Sequence, residues 1–497
     1  MSTAADRYRI EPTVLQALRS PRLLTREVVA GLVVALALIP EAIAFSVVAG
    51  VDPRVGLFSS FVLAVVIAFT GGRPAMITAA AGAVALVIAP VAREHGLDYL
   101  IATILLAGVI QIVLAALGVA KLMRFIPRSV MVGFVNALAI LIFLSQVPQL
   151  VDVPWAVYVL VAVGLGILFL WPRITKAVPG PLIAIALLTA AVVIFGISVP
   201  DVGDQGELPR SLPELLIPHV PLTWETLQII APFAFAAALV GLLESLMTAK
   251  LVDDITDTRS RKTREAWGLG VANIASAFFG GTGGCAMIGQ TMINVKTSGA
   301  RTRISTFVTG VWVLVLVVLL GEVVAVIPMA ALVAVMILIS VTTFDWHSIR
   351  PSTLKRMPVS ETVVMLVTVA VTVWTHNLAI GVIVGVVTAM VLFARRVAHF
   401  TTVTRTVDAG VARYEVDGEL FFASSNDLTT QFEYATDPHR VVIDMTRSHV
   451  WDASTVASLD AIVTKYAQHG TAVELIGMND ATTAFHRRLS GELGAEG

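Results

Sequence analysis

Two carboxylates lie in stretches of this chain that are otherwise apolar, where an acid can take up a proton, hold a cation or bond a neighbouring helix. Glu41 sits in Ala37-Leu38-Ile39-Pro40-Glu41-Ala42 and Glu244 in Gly241-Leu242-Leu243-Glu244-Ser245. An ionised carboxylate in such a stretch is costly, so it is protonated, paired or facing water. Glu244 is the more telling of the two. Leu239 to Met247 around it is apolar, and Thr248 lies one helical turn on, on the same face. Glu244 and Thr248 are therefore the candidate site for a coupling ion, either a proton or a cation. Glu41 follows Pro40, whose missing N–H is expected to open the helix, and Phe45 lies one turn further on, placed to close a cavity.

Downstream of each acid the chain carries the same broken segment. Gly71-Gly72-Arg73-Pro74-Ala75-Met76-Ile77 recurs roughly two hundred residues later as Gly283-Gly284-Cys285-Ala286-Met287-Ile288. Paired apolar segments interrupted at Gly or Pro, at matching places in two halves, point to the binding site of a secondary transporter. Each is read as an extended stretch that becomes a helix near mid-membrane, where irregular backbone is tolerated only inside protein or along a cavity. Free N–H groups and the helix dipole make such helix starts anion sites. Ala79, Ala80 and Gly82 in the first copy, and Gly289, Gln290 and Thr291 in the second, are small or hydrogen-bonding and let backbone donors approach a ligand. Tight helix packing accounts for one such glycine pair; matched breaks in both halves favour binding.

These residues need elements to carry them, and composition says which kind. Of 497 residues, 57% are hydrophobic and only 14% charged, with mean hydropathy +0.85, far less charge than a soluble protein of this length carries. Apolar runs near the ~20 residues that cross a bilayer recur as 28–49, 55–70, 75–91, 99–118, 129–147, 154–171 and 181–196. A second set follows at 226–250, 266–281, 285–296, 304–322, 328–343, 360–375 and 378–394. Seven segments in each half invert the second half relative to the first. Lys and Arg alternate in step with that count. Arg73, Lys121, Arg124, Arg128, Arg173, Lys176, the run Lys250 to Arg264, Lys296 to Arg303, and Arg350 to Arg356 fall in the expected inner loops. Only Arg54, Arg93 and Arg210 fall outside. Both termini are thus expected in the cytoplasm, with no cleavable signal at the start. A net charge of −1 singles out no charged partner, and no nucleic acid is expected. The single cysteine, Cys285, excludes an intrachain disulfide.

Other polar residues carry less. Asn136, Gln146 and Gln111 read as interhelical hydrogen bonders, and Asn273 as a brace for the tenth segment. Asp253, Asp254 and Asp257 read as solvated loop acids, or as partners of Arg259 to Arg264. Charges become frequent near Phe400, giving a cytoplasmic segment 1–27, a membrane domain 28–398 and a cytoplasmic domain 399–497. In the last, strands at 411–416, 419–422, 441–445 and 472–476 alternate with helices at 453–468 and 481–489, a small α/β unit. Ser454, at the start of the 453–468 helix, is either a capping or first-turn residue or a site of phosphorylation. No metal cluster, phosphate loop or nucleophile elbow is present, so no cofactor, metal or enzymatic activity is expected.

Ile39-Pro40-Glu41, Gly56-Leu57-Phe58-Ser59-Ser60, Gly241 to Ser245 and Gly283 to Arg303 together resemble the SulP family of anion transporters. Val441-Val442-Ile443-Asp444-Met445 with Asp452-Ala453-Ser454 resembles its C-terminal STAS domain. The resemblance implies an α-helical polytopic protein of two inverted seven-segment repeats, arranged as core and gate subdomains and commonly dimeric. Substrate would sit between the third and tenth segments, and substrates would be small anions such as sulfate, bicarbonate or dicarboxylates. Bacterial members couple to protons or sodium in the inner membrane. Many relatives carry an arginine early in the tenth helix, where this chain has Gln290-Thr291. Losing that fixed charge favours coupled symport over simple exchange. The expectation is proton-coupled anion symport. Sodium-coupled bicarbonate or nucleobase uptake, and a sensor signalling through the STAS domain, are the alternatives.

Overall fold

The computed structural model describes residues 12–119, 126–174, 180–206, 208, 211–398 and 401–490. Lys121, Arg124, Lys176, Arg210 and Phe400, which entered the charge pattern and the domain limit above, lie outside them. The chain forms two compact units, Met1–Val386 and Val387–Gly497.

The first unit is helical. It opens with α1 (Val14–Arg19), α2 (Pro21–Ala49), α3 (Pro53–Thr70), β1 (Thr78–Ala79), α4 (Gly82–His95), α5 (Leu97–Ala116), α6 (Arg128–Gln146), α7 (Trp155–Ile174) and α8 (Gly180–Phe195). It continues with α9 (Trp224–Thr256), α10 (Lys262–Phe278), β2 (Cys285–Ala286), α11 (Ile288–Met292), α12 (Arg303–Ala325), α13 (Met329–Thr343), α14 (Pro351–Arg356) and α15 (Val359–Thr375), and α16 (Leu378–Ala398) begins in this unit and ends in the second. Proline at the first helical position starts α2 and α3, where its missing N–H costs nothing. The helix α2 continues through Pro40, so the expected opening there is absent. Every stretch expected to span carries a helix or a helix end. Among the described residues eight helices, α2, α3, α5 and α9 among them, are long and apolar enough to cross a membrane by length and composition. Neighbours sort into two groups: α2, α3, α5, α9, α10 and α12 pack against one another, and α6, α7, α13 and α15 do likewise.

The eighth segment runs past its expected end at 250 to Thr256, which moves Asp253 and Asp254 from a loop onto a helix. Asp253 pairs with Arg73, Nη1 to Oδ1 at 3.1 Å, and not with the basic run from Arg259 to Arg264. The Arg73 side chain is buried and also donates to Thr256 Oγ1 at 2.7 Å. The expected solvated acid is one end of a partly buried bridge between the first glycine break and the end of α9. Asn136 links α6 to the turn after α13, donating to Ser348 and accepting from the Asp345 N–H at 2.8 Å. Gln146 bonds only within its own helix among the described residues, because its amide lies over the Ile142 carbonyl one turn back.

The second unit holds a four-stranded sheet in the order β3 (Thr402–Asp408), β4 (Val411–Leu420), β5 (Arg440–Val450), β6 (Ala472–Ile476), antiparallel at the first pair and parallel at the other two. Helices α17 (Phe422–Leu428), α18 (Ala453–Gln468) and α19 (Asp480–Leu489) complete it. The two strands expected on either side of Gly418 are one strand. The register shifts earlier, between Glu415 and Asp417, while Gly418 stays paired with Ser448 at a positive φ of 119°, and Phe422 opens α17 where the second strand was expected to end. Ala412, Tyr414, Val416, Val441, Ile443 and Met445 alternate inward onto Val456, Leu459, Ile462 and Tyr466 of α18. Asp437 sits under this core with its side chain fully buried, bonded by the Tyr414 hydroxyl at 2.6 Å and paired with Arg405 at 2.7 Å. Burial is the main reason the Tyr414 hydroxyl titrates above the ordinary tyrosine range, followed by that bond to Asp437.

Candidate functional site between two opposed helix starts

The two glycine breaks meet. β1 and β2 pair antiparallel, Thr78 with Ala286 and Ala79 with Cys285, and the Met287 N–H donates to the Ile77 carbonyl at 2.9 Å. The helices leaving this short ladder, α4 and α11, run from it in opposite senses. Gly284 is essential to the approach: a Cβ there would meet the Ala79 carbonyl oxygen at 1.9 Å, inside any permitted contact. α11 is short and continues as a π-helical stretch, Ile293–Thr297, the kind of irregularity found at functional sites.

Side chains from the surrounding helices hold both breaks. On the first, Glu265 of α10 accepts from the Gly72 and Arg73 N–H groups at 2.6 and 3.0 Å. Ser60 takes the Ala80 N–H at 3.2 Å, and Thr291 takes the Ile77 N–H at 3.0 Å. On the second, Asn273 of α10 accepts from the Gly284 N–H at 2.8 Å and donates to Gln111 and to the Gly284 carbonyl. That is the bracing role expected of it. Ser245 accepts from the Ala286 N–H at 3.0 Å. One helix, α10, therefore fixes both irregular segments, which satisfies backbone groups that would be ruinous if left unpaired in hydrocarbon.

The candidate residues converge from two helices. On α2, Glu41 accepts from the Gln290 amide, and Phe45, one turn on, packs against the start of α4. A Cβ on Gly82 would lie 2.7 Å from the Phe45 ring. One face of α2 thus touches both helix starts. On α9, Glu244 and Thr248 meet β2 in the same i, i+4 relation. Cys285 donates its thiol to Glu244 Oε2 at 2.9 Å. Thr248 donates to its own helix at the Glu244 carbonyl, 2.8 Å, and reaches the Ala286 carbonyl at 3.4 Å. Both acids are 7% exposed, and among the described residues no cationic side chain pairs with either. Ala79 and Thr291 are fully buried, Ala79 in the ladder and Thr291 bonded to Ile77. Ala80 is engaged by Ser60. At Gly289 no atom lies within 4 Å of where a Cβ would stand, so the start of α11 borders open space. The first N–H groups of α4 have no partner within their helix.

Sequence reading gave Glu41 less weight than Glu244, and the structure puts both at the breaks. It missed Cys285 as the partner of Glu244, since a lone cysteine has no spacing to read. Ser60, Ser245 and Glu265 were missed as braces because their partners are backbone groups far away in sequence. Ser454 lies at the second position of α18, exposed, while Asp452 is the N-cap and accepts from the Thr455 N–H at 3.0 Å.

Many apolar helices with two opposed helix starts at a pair of broken segments define a multi-pass membrane transport protein. The chain belongs to the sulfate permease family, which matches residues 24–156 and 148–368, and it ends in a STAS domain matching residues 402–489. The family is one of transporters, not enzymes. A putative sulfate transporter of Bacillus subtilis, YbaR, is 50% identical over 465 residues, covering 94% of this chain and 97% of that protein. The bicarbonate transporter BicA of Picosynechococcus is 26% identical over 84% and 82% of the two chains. The fold is that of the murine Slc26a9 anion transporter in the inward-facing state, with TM-score 0.82 at 17% identity over 99% of this chain and 90% of that one.

Proposed function

We propose that the chain is a secondary active transporter that carries a small anion, such as sulfate, bicarbonate or a dicarboxylate, together with a proton by alternating access. The observation that carries this reading is the convergence of Glu41 and Phe45 on both helix starts, through Gln290 and Gly82. The anion would rest against the free N–H groups of α4, with Ala79, Ala80, Gly289, Gln290 and Thr291 around it. Gln290 offers an amide where many relatives have a fixed cation, so charge balance falls to a coupling ion.

A proton suits the Glu244 pocket better than sodium. A hard cation seeks several oxygen ligands, whereas the near oxygen of Glu244 faces a thiol and the Thr248 hydroxyl donates to carbonyls. A carboxyl that gives and takes a proton needs only access to water in turn from each side. The printed names of relatives, sulfate for one and bicarbonate for another, support an inorganic oxyanion.

The same proposal places the protein in the cell inner membrane as a homodimer with both termini cytoplasmic. Its limits are a segment 1–27, a transport domain 28–398 and a STAS-like domain 399–497. Exposed Ser454 is the candidate acceptor for phosphate there, at a helix start whose dipole favours it.

Proteoliposomes holding the purified protein test this with sulfate, bicarbonate and C4-dicarboxylates under an imposed pH gradient, in choline buffer. Accumulation of at least one anion, driven by the gradient and indifferent to sodium, is expected. Uptake that appears only when sodium replaces choline, or no uptake of any anion under a pH or a sodium gradient, contradicts it.

A further inference from the structure

A cavity of about 620 Å³ opens between α2, α4 and α9 on one side and α6 and α13 on the other. It adjoins the site above, with Ala44 beside Phe45 and Leu86 one turn beyond Gly82 in its wall, but Glu41, Phe45, Glu244 and Gln290 do not line it. Its walls are largely apolar, with Leu86 of α4, Leu141 and Leu144 of α6, Phe233 of α9 and Leu332 of α13. The last turn of α4 brings Arg93 to one end, where Nη2 donates to the Val48 carbonyl at 2.9 Å. That bond aims the guanidinium, and among the described residues Arg93 makes no other side-chain hydrogen bond. Among the described residues no carboxylate forms an ion pair with Arg93. Glu94, Gln149 and His376 complete the polar rim.

A fixed cation at the end of an apolar cavity recognises a particular chemistry. An inorganic anion would fill little of this volume and leave the leucine walls wet. A hydrocarbon body with one anionic head pairs the head with Arg93 and buries the body, in a space of the size that small-molecule sites have. Each methylene buried there should tighten binding up to roughly fourfold.

We propose that this cavity binds a soluble amphipathic monocarboxylate and that its occupation arrests transport. The binding stands on the cavity and Arg93 alone. The arrest rests on the alternating-access reading, because the cavity walls come from two separately packed groups of helices that must shift against each other in that mechanism.

Octanoate and octanol distinguish the head from the tail, with the full-length protein in phosphatidylcholine nanodiscs and binding read by thermal melting. Octanoate should raise the melting midpoint saturably, hexanoate should need roughly tenfold more, and octanol should do nothing at matched membrane concentration. Arg93→Gln should weaken octanoate at least fivefold, with partial recovery in Arg93→Lys. Leu144→Trp, which fills the cavity from a half-exposed position, should abolish the effect while leaving the unliganded midpoint in place. Glu94→Gln should bind octanoate at least as well as the parent. Equal potency of octanol and octanoate, or parental binding in both Arg93→Gln and Leu144→Trp, overturns the site. Loss of octanoate binding when the discs contain phosphatidylglycerol reassigns the cavity to lipid and also overturns it. In proteoliposomes, octanoate that binds but leaves uptake unchanged refutes the arrest. A parental protein that moves no anion refutes the transport reading and leaves the binding result intact.

Discussion

Gln290 and Glu41 show how much a single pair can decide. In a site built from helix starts, an arginine would bring a permanent positive charge; an amide brings a hydrogen bond and none. Because Gln290 donates to Glu41, the two side chains hold each other in place across the gap between α2 and α11. Gln290→Ala leaves a buried carboxyl without its partner, a loss of about 1–3 kcal/mol. The expected result is a KM for the anion raised about tenfold with the maximal rate largely kept, measured by uptake kinetics. An unchanged KM would mean the pair lies outside the substrate's reach. The Cys285 thiol against Glu244 is the corresponding contact on α9. It gives that acid one neutral donor and no cation, which leaves a proton as the simplest means of cancelling its charge.

At the scale of elements, the central construction is a two-residue ladder that joins two broken segments from opposite halves of the chain. It exists because Gly284 lets the β2 backbone lie against the Ala79 carbonyl. Gly284→Ala places a methyl group 1.9 Å from that oxygen, so the ladder must part. The expected outcome is complete loss of transport with a lowered melting temperature, and parental transport in this variant would remove the ladder from the account. The repeated Gly-Gly and Ala-Met-Ile made the two breaks legible in sequence, because glycine where chains approach closely leaves a mark that side-chain pairing does not. Helix placement was equally legible from apolar runs. The strand pairing between the breaks was not, nor the bracing by Glu265 and Asn273, since both depend on contacts between residues distant in sequence. Asp253 went astray for a related reason: its hydrophilic surroundings read as a loop, while its partner Arg73 sits 180 residues earlier. In the second unit, the helices at 453–468 and 481–489 were plain from periodicity. The single strand β4 was split in two because Gly418 reads as a turn, whereas it stays in the ladder opposite Ser448 at a positive φ.

For the whole molecule, we infer that the transport path lies in the helical unit and that the STAS unit, whose core closes on itself around Tyr414, Ile443 and Tyr466, has a regulatory or assembly role. A chain ending after Ala398 should therefore retain some uptake in vesicles, and its complete loss in a well-folded truncated protein would assign the STAS unit to the transport cycle. The central claim is that the molecule moves its anion with a proton carried on Glu244. Glutamine at that position keeps the shape and a hydrogen-bonding capacity of the protonated acid but has no proton to release. The decisive measurement is anion accumulation against its gradient in proteoliposomes with an imposed pH difference, comparing the parent with Glu244→Gln. The parent should accumulate the anion in proportion to the pH difference, while Glu244→Gln should still bind it and show no gradient-driven accumulation. Accumulation by Glu244→Gln at near the parental rate would contradict the account.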